Sequence, residues 1–212
     1  MSKSLLSFLV TAALAAMAHA GDLKSFSFDC EAWGEGAPPA DVFVVEGTIT
    51  VKALEKNKVL EVGIDPLVAA NAQFATSANG SASIEAKVLA TKAGRSAPIF
   101  GVAVHGQSGY RLMAVPVKKE LQITKGEEVV KSVPLEWTSG SWLKMKLEVK
   151  KGADDKWTIS GKAWPADGAE PKDPQISAED SKLKGQGKCS IWATPFSGTP
   201  IDFDDIKLQI EQ

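Results

Sequence analysis

The sequence predicts an all-β protein, a two-sheet antiparallel sandwich of jelly-roll type. Three observations predict it. Apolar and polar residues alternate with period two over about a dozen short segments. Clusters of Gly, Pro, Asn and Asp separate those segments. No stretch beyond the first twenty residues carries a helical apolar period.

The first twenty residues read as something other than fold. "MSKSLLSFLVTAALAAMAHA" has a basic start at Lys3, an apolar run from Leu5 to Met17, and the small-x-small ending Ala18-His19-Ala20. This is the pattern of a secretory signal peptide, cleaved after Ala20. Residues 21–212 are then one exported domain, periplasmic or extracellular. The apolar run is short for a membrane span, and no later stretch approaches the length required. The chain has 24 basic and 26 acidic side chains; without Lys3 the balance is 23 to 26, a formal charge of -3. A weakly acidic chain without a basic stripe excludes nucleic acid as a partner.

The strands follow in order. The clearest is "SWLKMKLEVKK": Leu143, Met145, Leu147 and Val149 point one way, and Lys144, Lys146 and Glu148 the other. "KKGADD" and "DKWTISGKAW" complete a hairpin with it. Further strands are expected over residues 25–32, 47–53, 58–64, 83–89, 99–105, 110–115, 120–124, 128–133, 187–193 and 200–210. "DPLVAANAQFA" is read as holding at most a helical turn. "AWPADGAEPKDPQISAED" is read as a surface loop, because its prolines cannot donate to a ladder. In the closing "TPIDFDDIKLQIEQ", Ile201 and Phe203 share one parity, while Ile206, Leu208 and Ile210 share the other. A doubled position at Asp204 and Asp205 implies a β-bulge.

Cys30 and Cys189 are the only cysteines. In an exported chain an even pair reads as a disulfide, which for so long a loop stabilises by up to about 5 kcal/mol. The alternative is two separate buried thiols. Cys30 shares parity with Phe26 and Phe28, and Cys189 with Ile191, so both face the core. A bond would set the first strand beside the penultimate one.

The order "FSFDCEAWGEGAPPADVFVVEGTITV", "YRLMAV", "GSWLKMKLEV", "WTISGKAW" and "PFSGTPIDFDDIKL" resembles the concanavalin A-like lectin/glucanase superfamily. It is most similar to the laminin-G-like jelly rolls of secreted bacterial proteins, which include the 3-keto-disaccharide hydrolase domains. The resemblance implies a curved sandwich whose concave sheet meets carbohydrate. The glucanases of that superfamily carry two glutamates and an aspartate in an E-x-D-x-x-E run on one strand. This chain has no such run, so a retaining-glucanase mechanism is not expected.

Three constellations are candidate sites. Asp204 and Asp205, with Asp29 and Glu31 of the first strand, offer oxygens to a structural calcium ion; alternatively they mark the bulge and bond to amides and lysines. Trp142, Trp164 and Trp192 share parity with polar neighbours, and flat exposed indoles stack on sugar rings. The alternative covers them with loops. Trp33, Trp137 and Trp157 read as core or strand-end packing. In "IFGVAVHGQSGYR", Phe100, Val102 and Val104 suit a core, while Gly101 and Ala103 leave room on the other face. His105, Tyr110 and Arg111 follow and could hydrogen-bond a sugar or an acidic ligand. No acid or nucleophile has triad spacing to His105. The expectation is therefore an exported glycan-binding module. A hydrolase of a sugar derivative, with acids drawn from separate strands, is the second reading; a structural interaction module is the third.

Overall fold

Alternation becomes strand in every segment where the sequence analysis placed one, and in three segments where it did not. The structure is a computed structural model that describes residues 22–152 and 154–212; the leader expected over residues 1–20 lies outside the described residues. The strands are β1 (Leu23–Phe28), β2 (Val42–Glu46), β3 (Ile49–Leu54), β4 (Asn57–Val62), β5 (Ala70–Asn79), β6 (Ala82–Leu89), β7 (Ile99–Val104), β8 (Tyr110–Val115), β9 (Glu120–Lys125), β10 (Glu128–Pro134), β11 (Leu143–Lys151), β12 (Trp157–Pro165), β13 (Ile176–Asp180), β14 (Gln186–Thr194) and β15 (Ile201–Glu211). A 3-10 turn at Gly106–Ser108 is the one helical piece among the described residues.

Two antiparallel sheets face each other. The first runs β13-β12-β11-β6-β15-β4-β3, with β1 also on β15; the second runs β10-β9-β8-β7-β14-β5-β2. Residues of one parity fill the space between them. Ile84, Val88, Met145, Leu147, Phe203 and Leu208 come from the first sheet, and Phe74, Phe100, Val102, Leu112, Ile123 and Ile191 from the second. The sheets approach closely at Gly161 on β12. A Cβ there would lie 2.4 Å from Leu112 Cδ1 and 2.9 Å from Ile176 Cγ2.

The parity slip near the C-terminus has a topological cause. One edge of β15 pairs with β4 through residues 201–203, then with β1 through residues 206–211. The bulge falls at that changeover, where the β6 register also shifts and Asp205 takes a φ of 47°. It keeps Ile201, Phe203, Ile206, Leu208 and Ile210 all buried despite the slip.

Several expectations are corrected. "DPLVAANAQFA" holds no helical turn: β5 begins at Ala70, with Ala72 and Phe74 inward. Alanine is a weak strand former, so this strand carries little propensity and is held by its neighbours β14 and β2. The late irregular stretch contains β13, an edge strand that starts two residues after Pro174, where no proline needs to donate. Finally, β1 lies beside the last strand, not the penultimate one, and β14 belongs to the opposite sheet. Cys30 follows β1 in a turn at φ 62°, while Cys189 lies inside the second sheet with Sγ 3.8 Å from the Ser83 carbonyl. Both are free, buried thiols, not a disulfide.

Candidate functional site: the outer face of the seven-stranded sheet

Every strand of the second sheet has a second face, turned away from the sandwich core. Cross-strand register identifies it. One row runs Phe43, Gln73, Ser190, Ala103, Arg111, Thr124 across β2, β5, β14, β7, β8 and β9. The adjacent row runs Glu46, Asn71, Trp192, Gly101, Met113, Gln122. No strand or helix among the described residues forms a third layer over these rows. Yet Asn71, Gln122, Thr124, Ser190 and Trp192 are all buried. A polar band sunk into an uncovered sheet face is unusual, because such residues normally stay in water.

The centre of the band is an arginine laid on an indole. Gly101 and Ala103 present almost no side chain, and the space they leave lets Arg111 reach across β7 from β8 to Trp192 on β14. The guanidinium carbon sits 3.7 Å from the Trp192 ring centroid, a cation–π stack. Trp192 Nε1 donates to Ser190 Oγ at 2.9 Å, which fixes the ring, and only 7% of the residue is exposed. A Cβ on Gly101 would lie 2.1 Å from the Leu112 carbonyl oxygen and 2.7 Å from Met113 Sδ. Glycine is therefore required there by the close approach of β8.

Two polar atoms in the band have no partner among the described residues. Asn71 is 3% exposed and its Oδ1 receives no hydrogen bond, although Nδ2 donates to the Ala69 carbonyl at 3.4 Å. Arg111 Nε is likewise buried without an acceptor; its Nη2 reaches only Gln107 Oε1 at 3.5 Å. Burial holds the Arg111 pKa below its ordinary value, and nearby Glu127 opposes the shift. Buried polar groups are normally satisfied, so two orphans on one face mark a place built for a partner. Phe43, at the β2 edge of the band, is 60% exposed.

No protein-family model matches the sequence, and no curated protein does. Solved structures match its fold. The carbohydrate-binding module CBM66 from Bacillus subtilis superposes with a TM-score of 0.55 at 14% identity, over 81% of this chain and 96% of that one. Lectin II from Ulex europaeus gives 0.55 at 13%, over 89% and 99%. A variant of alginate lyase Aly36B in complex with alginate tetrasaccharide gives 0.58 at 11%, over 89% and 98%. The fold is the concanavalin A-like jelly roll.

The concanavalin A-like sandwich sends the other expected site residues elsewhere. Tyr110 and Arg111 are adjacent on β8 and so face opposite ways. Tyr110 points into the sandwich, where its hydroxyl donates to Asp180 Oδ2 at 2.8 Å. Lys125 Nζ holds the same oxygen at 2.6 Å. This ties β13 of one sheet to β8 and β9 of the other. Burial, with the hydrogen bond and charge of Asp180, pushes the tyrosine well above its ordinary value. His105 has the parity of Gly101 and Ala103 but not their direction. Its φ of 62° turns the ring inward, edge-on to Trp157 at 5.6 Å. Nε2 donates to the Gly80 carbonyl at 2.8 Å, and Nδ1 is buried without a partner among the described residues.

The tryptophans divide three ways. Trp192 supports Arg111 and so does not present a free ring face. Trp164 is on the outer face of the eight-stranded concanavalin A-like sheet, opposite Lys144, but is 4% exposed. The loop after β12 folds back onto that face through Glu170, which accepts from Lys146 at 3.2 Å and Lys162 at 2.8 Å. The expectation that Trp164 and Trp192 are exposed is thus corrected. Trp142 is half-buried and lines a cleft of about 530 Å³ with Trp137, Glu136 and Asp167 at one end of the sandwich. Trp33 and Trp137 are partly buried against the core and Trp157 lies within it.

The four acids offered to calcium are engaged elsewhere. Asp204 accepts from Asn57 Nδ2 at 2.8 Å and from the Asp205 amide at 2.7 Å. Asp205 pairs with Lys87 at 2.5 Å. Glu31 accepts from the Lys58 amide at 3.0 Å, and Asp29 from the Glu31 amide at 3.2 Å. Among the described residues no three acids, histidines or thiols converge as a metal cage. Sequence reasoning named Arg111 and Trp192 and saw the small residues between them. It missed Asn71, Gln73, Gln122, Thr124, Ser190 and Phe43. The available signal was parity: Gln122 and Thr124 alternate with Leu121 and Ile123, and Asn71 and Gln73 with Ala72 and Phe74.

Proposed function

We propose that this chain is an exported carbohydrate-binding module that holds its glycan on the outer face of the seven-stranded sheet. One observation carries the reading: Asn71 Oδ1 is an acceptor buried on that face without a donor among the described residues. A sugar hydroxyl is the complementary group, and leaving the acceptor unmade costs about 1–3 kcal/mol. The surroundings suit a sugar as well. Gln73, Ser190, Gln122 and Thr124 supply further polar groups, and Phe43 offers an exposed ring for the apolar face of a pyranose. Similar folds include a carbohydrate-binding module, a lectin and an alginate lyase seen with an alginate oligosaccharide. They support saccharide as the ligand class.

The test is a glycan array followed by calorimetry. The full exported chain should bind at least one oligosaccharide. Asn71→Ala should weaken that binding about tenfold or more. Trp142→Ala, in the cleft at the end of the sandwich, should leave it unchanged. Binding that depends on Trp142 and not on Asn71 would move the site to that cleft and defeat this reading. Absence of binding to any glycan would also defeat it.

A further inference from the structure

We infer that the glycan this face takes is acidic, carrying a carboxylate or sulfate that meets the Arg111 guanidinium. The inference rests on the proposed glycan face and names the class of sugar it selects.

The reasoning begins with what Arg111 lacks. Lys87, Lys125, Lys146 and Lys162 each hold a carboxylate in an ion pair. Arg111 takes part in none of the ion pairs among the described residues, and its one side-chain hydrogen bond is the long contact to Gln107. Removing a cation from water without a counter-ion is unfavourable. Here the unfavourable term is retained and the group is also immobilised, by the stack on Trp192 that Gly101 and Ala103 make possible. A guanidinium fixed and partly desolvated in advance binds an incoming anion with little further ordering. Its planar fork matches the paired oxygens of a carboxylate or sulfate.

The neighbours narrow the ligand further. Asn71 Oδ1, one strand from Trp192, calls for a donor, which sulfate or chloride alone does not supply and sugar hydroxyls do. The acids around the band are Glu46 at the β2 edge, Glu120, whose Oε2 accepts from Gln122 at 2.6 Å, and Glu127 near Arg111. Glu127 beside the cation, with Glu46 and Glu120 farther along the band, repels a dense polyanion. They admit an oligosaccharide with a single acidic unit placed at Arg111.

The experiment uses matched pairs on the array and in calorimetry. One pair is a glucuronate-bearing xylo-oligosaccharide and its methyl ester. A second is sialyllactose and lactose; a third is a sulfated galactoside and its desulfated form. The acidic member of at least one pair should bind about tenfold more tightly than its neutral partner. The pair that responds identifies carboxylate or sulfate. Arg111→Gln should reduce the acidic member to the level of the neutral one, Arg111→Lys should recover part of the difference, and added salt should weaken the preference. Thermal unfolding of both variants checks that the face is intact. Equal binding of acidic and neutral members, or a preference that survives Arg111→Gln, overturns this inference. If Asn71→Ala still weakens binding in that case, the glycan face itself stands. Absence of binding to every member removes both.

Discussion

Asp202 sits where its charge is unwelcome, and replacing it should stabilise the protein. It lies on the outer face of the eight-stranded sheet, directly opposite Glu61 on β4 and beside Leu89 on β6. Burial, with a smaller contribution from Glu61, pushes its pKa up to about 6 from an ordinary 3.8. The folded state therefore holds a proton that the unfolded chain has released. The resulting cost is absent below about pH 3.8, grows through that window, and is complete above about pH 6. At 1.36 kcal/mol per tenfold in proton affinity the difference corresponds to about 3 kcal/mol. Asp202 is partly exposed, and solvent screening reduces the figure to about 1–2 kcal/mol. Asp202→Asn keeps the shape and removes the charge, so it should raise unfolding free energy by that amount at about pH 8. The gain should vanish at about pH 4. Glu61→Gln should give a smaller gain, since burial is the larger cause. Urea unfolding at several pH values measures all three. A variant less stable than the parent at about pH 8, or a gain independent of pH, would refute the reasoning.

Other outcomes follow from the same geometry. Gly161→Ala should cost about 1–3 kcal/mol, because its Cβ meets Leu112 and Ile176 between the sheets; thermal unfolding measures it. Tyr110→Phe removes the hydrogen bond to Asp180 and should cost about 1–2 kcal/mol in urea unfolding. Burial lowers the His105 pKa below 6.5, so the unfolded chain binds the proton more readily and stability is lost as pH falls below that value. That slope should be seen most cleanly in the Asp202→Asn background and should be missing from a His105→Gln double variant. Burial pushes both thiols up to about 12, so Cys30 and Cys189 should resist maleimide in native protein and both react after denaturation without reductant.

By itself the sequence determined the class of fold and the inner surface. Period two decides which side of a strand each residue takes, and that is a local property of the chain. It placed Leu143, Met145, Leu147 and Val149 in the core, located the bulge at Asp204 and Asp205, and left room at Gly101 and Ala103. It did not decide neighbours. Strand order and register depend on which apolar faces meet across the sandwich, and those contacts join residues far apart in the chain. Hence the pairing of β1 with β15, the separation of Cys30 from Cys189, and the presence of the Ala-rich β5 between β14 and β2 came only with the tertiary structure. So did the reversal of His105, which depends on one left-handed residue. The candidate site belongs to the same category. Asn71, Trp192 and Arg111 are ordinary outward residues on three different strands. They form one band only because β5, β14, β7 and β8 lie side by side, and only there do a buried acceptor and an unpaired guanidinium face the same partner.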